Sequence, residues 1–313
     1  MILITGGMGF VGSHLCESYV KDGEEVVIIS KSMNKLKNIE GFKNKITLEV
    51  GDVTDFHWLE NVVLKYKPDL IFHLAGQLTS YESFDNPLYD VDVNSKSTLV
   101  ILEAIRKMKN GCRFVLGSTF WVLGKPEKLP VNEDTPCEPL NVYAADRLAS
   151  EHHCRIYHEV HDTDAVVMRL TNTFGTREQY DNPKKAAINY LIYKGYIGED
   201  IPIYASGKFF RDIIYVSDVV AAARTIASKG KAGECYFVGT NNATWFYDLG
   251  RWIEERTKGK VVYVNSPDFH KRINVGSILI DNSKLRGLGW NWSVSVSEGI
   301  ERTLEYYRSI IRN

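Results

Sequence analysis

A cluster of glycines directly follows a short apolar run at the start of the chain. Ile2-Leu3-Ile4 leads into Thr5-Gly6-Gly7-Met8-Gly9-Phe10-Val11-Gly12, and an apolar helical face follows at Val11, Leu15, Tyr19 and Val20. Glycines let a backbone turn tightly after a strand and approach a pyrophosphate closely, and the N-terminus of the next helix offers free N–H groups to the phosphates. In this context the pattern predicts dinucleotide binding, with a purely structural turn as the alternative. The residues expected to contact the dinucleotide are Gly6, Gly9, Phe10, Val11 and Gly12.

Composition narrows the class of protein. The chain has 313 residues, of which 44% are hydrophobic and 25% charged, so it is expected to be globular with a substantial core. The formal net charge of −1 argues against nucleic acid or an anionic membrane as a partner. No apolar run approaches the roughly 18 residues of a membrane-spanning helix. Five scattered cysteines without a Cys-x-x-Cys pair predict reduced thiols, a cytoplasmic location and no metal site.

Short apolar runs alternate with helical patterns through the first half of the chain. This alternation predicts an α/β fold, a Rossmann-type doubly wound parallel sheet covered by helices on both faces. The strands are expected at 2–5, 25–30, 46–50, 70–74, 113–118 and 165–170, and the helices near 10–22, 55–66, 94–108 and 142–160. We expect a dinucleotide-binding domain at 1–173 and 211–239, and a smaller substrate lobe at 174–210 and 240–313.

Three polar residues are candidates for catalysis. Tyr143 and Arg147 lie four residues apart at the head of a predicted helix, so their side chains share a face. Thr119 follows the predicted strand 113–118, at the carboxyl edge of the sheet where ligands bind in such folds.

With these motifs the chain resembles the extended short-chain dehydrogenase/reductase family, and within it the nucleotide-sugar epimerases of the UDP-glucose 4-epimerase type. The resemblance covers nearly the whole chain. It rests on the glycine-rich opening, Gly51-Asp52-Val53, Phe72-His73-Leu74-Ala75-Gly76, Asn94, Thr119 five residues before Gly124, Arg169-Leu170-Thr171-Asn172, Arg211 through Asp218, and Leu288-Gly289-Trp290. Relatives of this type pair their helices equivalent to 94–108 and 142–160 across a homodimer. Leu99, Leu102, Ile105, Leu148 and Ile156 either support such a pairing or pack against their own sheet.

The resemblance implies a mechanism. Tyr143, as a phenolate, removes a proton from a sugar hydroxyl while the adjacent C–H passes a hydride to the nicotinamide, and Thr119 shares the hydrogen bond. The keto-sugar then turns over in the pocket and takes the hydride back on its other face. A free phenol has a pKa of about 10, so the chemistry requires nearby positive charge.

Two positions depart from the family pattern. Arg147 stands where the family has lysine; it keeps the positive charge, but its planar fork is larger and differently directed. Phe120 and Trp121 follow Thr119 where the sugar 4,6-dehydratases carry Asp-Glu. Neither aromatic side chain can transfer a proton at neutral pH, which argues against dehydration.

The cofactor expected from the resemblance is NAD, with NADP as an open alternative. NAD-preferring members end the second strand with an aspartate, whereas this chain has Ser30 and Lys31, and a lysine could pair with a 2′-phosphate. Asp52 either contacts the adenine with Val53 or caps the following helix. The further cofactor-binding positions implied are Leu74, Ala75, Gly76, Asn94, Tyr143 and Arg147.

A nucleotide-diphosphate sugar is the substrate that the resemblance implies. Arg211 matches the family arginine that meets the diphosphate, and Asn172 matches its amide partner; Arg177 and Arg272 are weaker candidates. Gln77, Thr79, Ser80, Phe120 and Trp121 are expected to line the sugar pocket. Three activities remain open: an NAD(P)-dependent epimerase, an NADPH-dependent keto-sugar reductase, and a dinucleotide-binding protein without catalysis.

Overall fold

Twelve strands form in the part of the chain that the computed structural model describes, residues 1–77 and 79–311. In chain order they are Ile2–Thr5 (β1), Val26–Ser30 (β2), Thr47–Val50 (β3), Leu70–His73 (β4), Arg113–Thr119 (β5), Ala165–Leu170 (β6), Asn172–Phe174 (β7), Ile201–Tyr204 (β8), Phe210–Tyr215 (β9), Cys235–Val238 (β10), Ala243–Trp245 (β11) and Val261–Val264 (β12).

The α-helices lie between these strands and after them. They are Phe10–Lys21 (α1), Phe56–Tyr66 (α2), Ser80–Asp85 (α3), Pro87–Val91 (α4), Ser97–Met108 (α5), Val142–His161 (α6), Ala187–Tyr196 (α7), Val216–Lys229 (α8), Phe246–Glu254 (α9), Asp268–Ile273 (α10), Ser283–Arg286 (α11) and Val296–Ile310 (α12). A π-helical turn, Asp92–Lys96, joins α4 to α5.

The central sheet has seven parallel strands in the order β10-β6-β5-β4-β1-β2-β3. The six strands predicted from the sequence are confirmed, with bounds that differ by no more than one residue. Successive strand residues point to opposite faces. Ile4 and Ile28 therefore pack under α1 and α8, whereas Leu3 and Val27 pack under α2 and α5. Burial on both faces explains why these strands are continuous apolar runs.

The strand order reverses between β1 and β4, which creates a crevice beyond their carboxyl ends. In doubly wound sheets such a switch point is where ligands bind. The loops after β1, β4 and β5 open at this edge, so the glycine cluster, Ala75-Gly76 and Thr119 all face the same crevice region.

A second core lies outside the central sheet. Strands β7, β9 and β11 form one small sheet and β8 and β12 another. Helices α7, α9 and α12 pack around them, where Leu249 and Tyr307 of the helices share a core with Phe174 of β7. Within the expected return segment 211–239, β10 joins the central sheet and α8 packs against it, whereas β9 belongs to the small sheet. Leu285 and Trp290 pack into the core under α1.

The apolar residues of α5 and α6, the helices considered for a subunit contact, differ in their exposure. Leu102 and Ile105 are buried against their own sheet. Ile156 and Val160 on α6 are 45% and 65% exposed.

Candidate active site

In the glycine turn after β1, backbone atoms approach one another too closely for side chains to fit. Gly6 has φ +69°, in the left-handed region, and a Cβ at this position would lie 2.9 Å from the backbone nitrogen of Ala75. The Gly9 N–H donates to the Gly6 carbonyl at 2.8 Å, and a Cβ on Gly12 would overlap that same carbonyl oxygen. The turn therefore leaves the first N–H groups of α1 facing the crevice without a side chain in the way. This cradle fits a pyrophosphate.

A hydrogen-bonded chain ties the glycine turn to the loop after β4. His73 is fully buried between the Thr5 hydroxyl (Nδ1 to Oγ1, 2.7 Å) and the Ser97 hydroxyl (Nε2 to Oγ, 2.9 Å). Burial lowers the pKa of His73 to about 3, so its ring is neutral. Thr5 Oγ1 also accepts from the Ala75 N–H at 3.1 Å. The loop 74–77 is thus held at a fixed distance from the glycine turn.

Lys31, directly after β2, forms an ion pair and a hydrogen bond with neighbouring side chains. Its ammonium lies 2.9 Å from Asp52 Oδ2 and donates to the Tyr89 hydroxyl at 2.7 Å. The hydrogen bonds to Tyr89 and to Asp52 raise the pKa of Lys31. Asp52 does not cap the following helix; Asp55 does, accepting from the Trp58 N–H at 3.0 Å. Neighbouring Ser30 donates to the Ser32 carbonyl, and Val53 is buried in the core.

Tyr143 and Arg147 lie in the first turns of α6, which begins at the N-cap Asn141. Both side chains are buried, with exposed fractions of 8% and 2%. The Arg147 Cζ is 5.8 Å from the centroid of the Tyr143 ring, and its Nη2 donates to the Ala75 carbonyl at 3.1 Å. The guanidinium lies so close to Gly76 that any Cβ there would overlap it. The structure therefore brings Tyr143, Arg147, Ala75 and Gly76 together.

Thr119 is the last residue of β5 and is buried, and its hydroxyl accepts from the Trp121 N–H at 3.3 Å. The preceding residue, Ser118, donates to Glu151 on α6. Glu151 also forms a buried ion pair with Arg169 on β6, with Nη2 2.6 Å from Oε2. This pair, 7% exposed on each side, locks α6 onto β5 and β6, and so fixes the helix that carries Tyr143 relative to the strand that carries Thr119.

The remaining predicted substrate residues are spread over several elements. Arg211 is buried, which lowers its pKa to about 10; its Nη2 donates to Asn274 Oδ1 at 3.0 Å, and its Nη1 donates to the Gly276 carbonyl. Asn172 starts β7, which pairs with β9, the strand that carries Arg211. Arg272 is exposed on α10. Arg177 is instead bound to α1, through an ion pair with Glu17.

Several of the residues expected to line the sugar pocket form hydrogen bonds or packing contacts within the protein. Thr79 caps α3, which begins at Ser80, and accepts from the Glu82 N–H at 3.0 Å. Phe120 is 3% exposed and packs against Trp121, with ring centroids 5.3 Å apart. Gln77 donates to Asp90 at 3.0 Å.

Two carboxyl groups beside Arg147 were not anticipated from the sequence. Asp90 is fully buried at the end of α4, and Asp146 directly precedes Arg147 on α6. Asp90 accepts from Asn94 Nδ2 at 3.0 Å, so Asn94 is held by Asp90 while its own Oδ1 is left without a hydrogen-bond partner among the described residues. The four-residue spacing of Asp90 and Asn94 is visible in the sequence. The packing of α4 against α6, which brings these residues to the site, is not.

Neither a membrane span nor a metal centre is found in the described ranges. No helix there has the length and apolar character needed to cross a bilayer. No group of three or more His, Cys, Asp or Glu side chains there is arranged to hold a metal ion.

Comparison with known proteins agrees with this architecture. A family model described as GDP-mannose 4,6 dehydratase matches residues 3–303. A UDP-glucose 4-epimerase from Mycolicibacterium smegmatis is 31% identical, covering 98% of both chains. A dTDP-glucose 4,6-dehydratase from Xanthomonas campestris is 30% identical, covering 97% of this chain and 92% of the relative.

Solved structures of nucleotide-sugar epimerases have the same fold. The UDP-glucose 4-epimerase of Thermotoga maritima, solved with UDP-glucose, has a TM-score of 0.92 at 26% identity over 99% of both chains. The UDP-glucose 4-epimerase of Thermus thermophilus, solved with NAD, has a TM-score of 0.88 at 25% identity over the same share of each chain. The expected Rossmann-type fold is confirmed. This chain belongs to the GDP-mannose 4,6 dehydratase family of extended short-chain dehydrogenase/reductases, and it is an enzyme of the nucleotide-sugar epimerase and dehydratase group.

Proposed function

We propose that this enzyme is an NAD-dependent nucleotide-sugar epimerase that inverts C4 of a UDP-hexose through a keto-sugar. The observation that carries the proposal is the pair Phe120-Trp121 directly after Thr119. Expulsion of a hydroxyl requires an acid beside the sugar. At these two positions the chain offers a packed aromatic pair, in which Phe120 is 3% exposed. Oxidation followed by return of the hydride needs no such acid.

The residues described above supply the rest of the reaction. Tyr143 accepts the proton of the sugar hydroxyl and later returns it, and the Thr119 hydroxyl shares that hydrogen bond. Arg147 contributes positive charge beside the Tyr143 ring, 5.8 Å from its centroid. Bound NAD supplies the hydride acceptor. Arg211, buried and oriented by Asn274, supplies the cation for the diphosphate, with Asn172 on the neighbouring strand as its partner.

The state of Lys31 supports NAD over NADP. A 2′-phosphate needs an unpaired cation at the end of β2, but the Lys31 ammonium is bound by Asp52 at 2.9 Å. The glycine turn, Ala75, Gly76, Asn94 and Arg147 would hold the rest of the dinucleotide. An NADPH-dependent reductase remains the alternative that Lys31 motivates. It would oxidise NADPH on addition of a keto-sugar nucleotide, and an unchanged absorbance of reduced nicotinamide counts against it.

A homodimer formed through α5 and α6 belongs to the same proposal. Ile156 and Val160 are large apolar side chains exposed on α6. Such side chains on one helix are typical of an interface.

Proton NMR of sugar nucleotides tests the proposal. The purified protein is incubated with NAD and, in turn, UDP-glucose, UDP-galactose and their N-acetyl forms. Growth of a second anomeric signal to a constant ratio supports epimerisation. A new methyl signal from a 6-deoxy product identifies a dehydratase instead.

A dinucleotide-binding protein without catalysis is the second candidate, and the burial of Arg147 favours it. The guanidinium occupies the space beside the Gly76 Cα and donates a hydrogen bond to the Ala75 carbonyl. The smaller ammonium group of a lysine would leave more of this space free for a cofactor. This candidate predicts cofactor binding without turnover, and gain of activity in Arg147→Lys. Turnover by the wild-type protein eliminates it.

A further inference from the structure

Side chains from two short helices, α3 and α10, form an aromatic cluster. Tyr81 and Phe84 lie on α3, which follows the loop after β4, and Phe269 lies on α10, which follows β12. The ring centroids of Tyr81 and Phe269 are 4.6 Å apart, and Phe84 meets the Phe269 ring edge to face at 5.4 Å. We call these three rings the aromatic clasp. The clasp links a helix beside the central sheet to a helix beside one of the small sheets.

Two lysines from the segment between β7 and α7 also reach α3. The Lys185 ammonium lies 2.7 Å from Glu82 Oε1, and Lys184 Nζ lies 4.7 Å from the centroid of the Tyr81 ring. Glu82 Oε2 accepts at 3.1 Å from the hydroxyl of Thr79, one of the residues expected to line the sugar pocket. Both lysines are exposed, and ion pairs between exposed side chains contribute little to stability. The link between α3 and the rest of the chain outside the central sheet is therefore made of weak contacts that can open and close.

The clasp lies between the two ends of the proposed substrate site. On one side α3 packs against α6, the helix that carries Tyr143 and Arg147. On the other side α10 ends at Asn274, whose Oδ1 accepts from Arg211 Nη2 at 3.0 Å. Tyr143 is the residue proposed to act on the sugar, and Arg211 is the residue proposed to bind the diphosphate. A sugar nucleotide bound to both of them therefore spans the gap that the clasp bridges.

The proposed reaction contains a step at which such a bridge matters. After the sugar C–H has given up its hydride and the hydroxyl proton has passed to Tyr143, the keto-sugar turns over in the site before the hydride returns. If the keto-sugar leaves at this point, the enzyme is left with NADH, and the proton on Tyr143 is lost to solvent. A closed site prevents side reactions of this kind. Aromatic rings suit this task because apolar contact is non-directional, so it encloses a sugar without holding one of its faces.

We propose that Tyr81 and Phe269 are positioning residues that close the sugar site and retain the keto-sugar while it turns over. Phe84, which is 47% exposed, forms the solvent-facing part of the clasp. The clasp opens to admit the sugar nucleotide and to release the product, as lids do in other enzymes. The inference rests on the proposed function and adds to it the residues that keep the intermediate in the site.

Accumulation of NADH during turnover of UDP-glucose tests the retention. Phe269→Leu and Tyr81→Leu should each accumulate NADH about tenfold faster per turnover than the wild type, a change of the size that loss of an aromatic pair produces. The double variant should be no worse than either single one, because both remove the same contact. Tyr81→Phe keeps the ring and should behave as wild type, as should Tyr263→Leu at an exposed tyrosine on β12. NADH accumulation at the wild-type rate in both single variants overturns the proposal.

Release of UDP-glucose and of dTDP-glucose from enzyme loaded with NADH tests the closure without turnover, since a reduced cofactor cannot accept a hydride. Stopped-flow displacement by excess UDP should show each sugar nucleotide leaving Phe269→Leu about tenfold faster than the wild type, for the same loss of an aromatic pair, and leaving Tyr81→Phe at the wild-type rate. Equal release from the wild type and Phe269→Leu overturns the closure. Faster release from the variant, in an enzyme that leaves UDP-hexoses unchanged, refutes the proposed reaction and supports the closure.

Discussion

Tyr143 and Arg147 show how much of a site a four-residue spacing can specify. The spacing places both side chains on one face of α6, and the structure adds what the spacing cannot: Arg147 reaches across to the Ala75 carbonyl at 3.1 Å. That contact depends on Gly76, since a Cβ there would overlap the guanidinium. A tyrosine and a cation from α6 and a glycine from the loop after β4 therefore form one unit.

Replacement of Tyr143 by phenylalanine tests the assigned proton acceptor. Tyr143→Phe removes only the hydroxyl of an 8%-exposed side chain, so the fold and the affinity for NAD should be kept. Turnover should fall by about 10² to 10⁴, the usual contribution of a positioned acid or base. Steady-state assays would be compared with those of Tyr263→Phe, an exposed tyrosine on β12. Turnover within a few-fold of wild type would refute the role.

His73 links stability to pH. Its pKa is about 3 in the folded protein and 6.5 for the free side chain, so below about pH 6.5 the unfolded chain takes up a proton that the folded chain does not. Stability is therefore present above this pH and is lost as the pH falls toward 3. The contribution is up to about 1.4 kcal/mol per pH unit.

Urea unfolding at a series of pH values measures this link. The free energy of unfolding of His73→Asn should depend less steeply on pH, by the equivalent of one proton. His57→Asn, at an exposed position on α2, should behave as wild type. An unchanged slope in His73→Asn would mean that another group carries the effect.

At the scale of the elements, the turn from β1 into α1 leaves no room for a side chain at Gly12. A Cβ on Gly12 would overlap the Gly6 carbonyl, so Gly12→Ala must displace α1 from the turn. We expect a loss of about 1–3 kcal/mol in stability, as for other overpacked sites, together with loss of NAD binding. Gly41→Ala is the matched control, because nothing lies within 4 Å of its Cβ position. Thermal unfolding and NAD calorimetry report the two effects; wild-type NAD affinity in Gly12→Ala would exclude the turn as the cradle.

Local sequence predicted the central elements because each one satisfies a local rule. A three-residue apolar run such as Leu70-Ile71-Phe72, or the apolar face of α1, is recognisable in the sequence without its packing partners. Contacts between distant residues are not recognisable in this way. The pairing of Lys31 with Asp52 and of Gln77 with Asp90 depends on which loops and helices the sheet brings together. The first of these contacts also bears on the choice between NAD and NADP.

At the scale of the whole molecule, the proposed homodimer predicts a change of mass on a single substitution. Val160→Asp places a charge at a side chain that is 65% exposed on α6, where it would be buried between subunits. Sedimentation should show a dimer for the wild type and a monomer for the variant. Tyr263→Asp, 58% exposed on the smaller lobe, should remain a dimer. A monomeric wild-type protein would contradict the proposal.

The central claim, that this enzyme returns the hydride to the carbon it came from, is tested most directly by UDP-glucose carrying deuterium at C4. The purified protein is incubated with this substrate and NAD, and deuterium NMR locates the label in the product. The account predicts that the label stays at C4 and appears in UDP-galactose. A label that moves to C6 of a deoxy-keto-sugar would contradict it, because that outcome requires expulsion of the C6 hydroxyl.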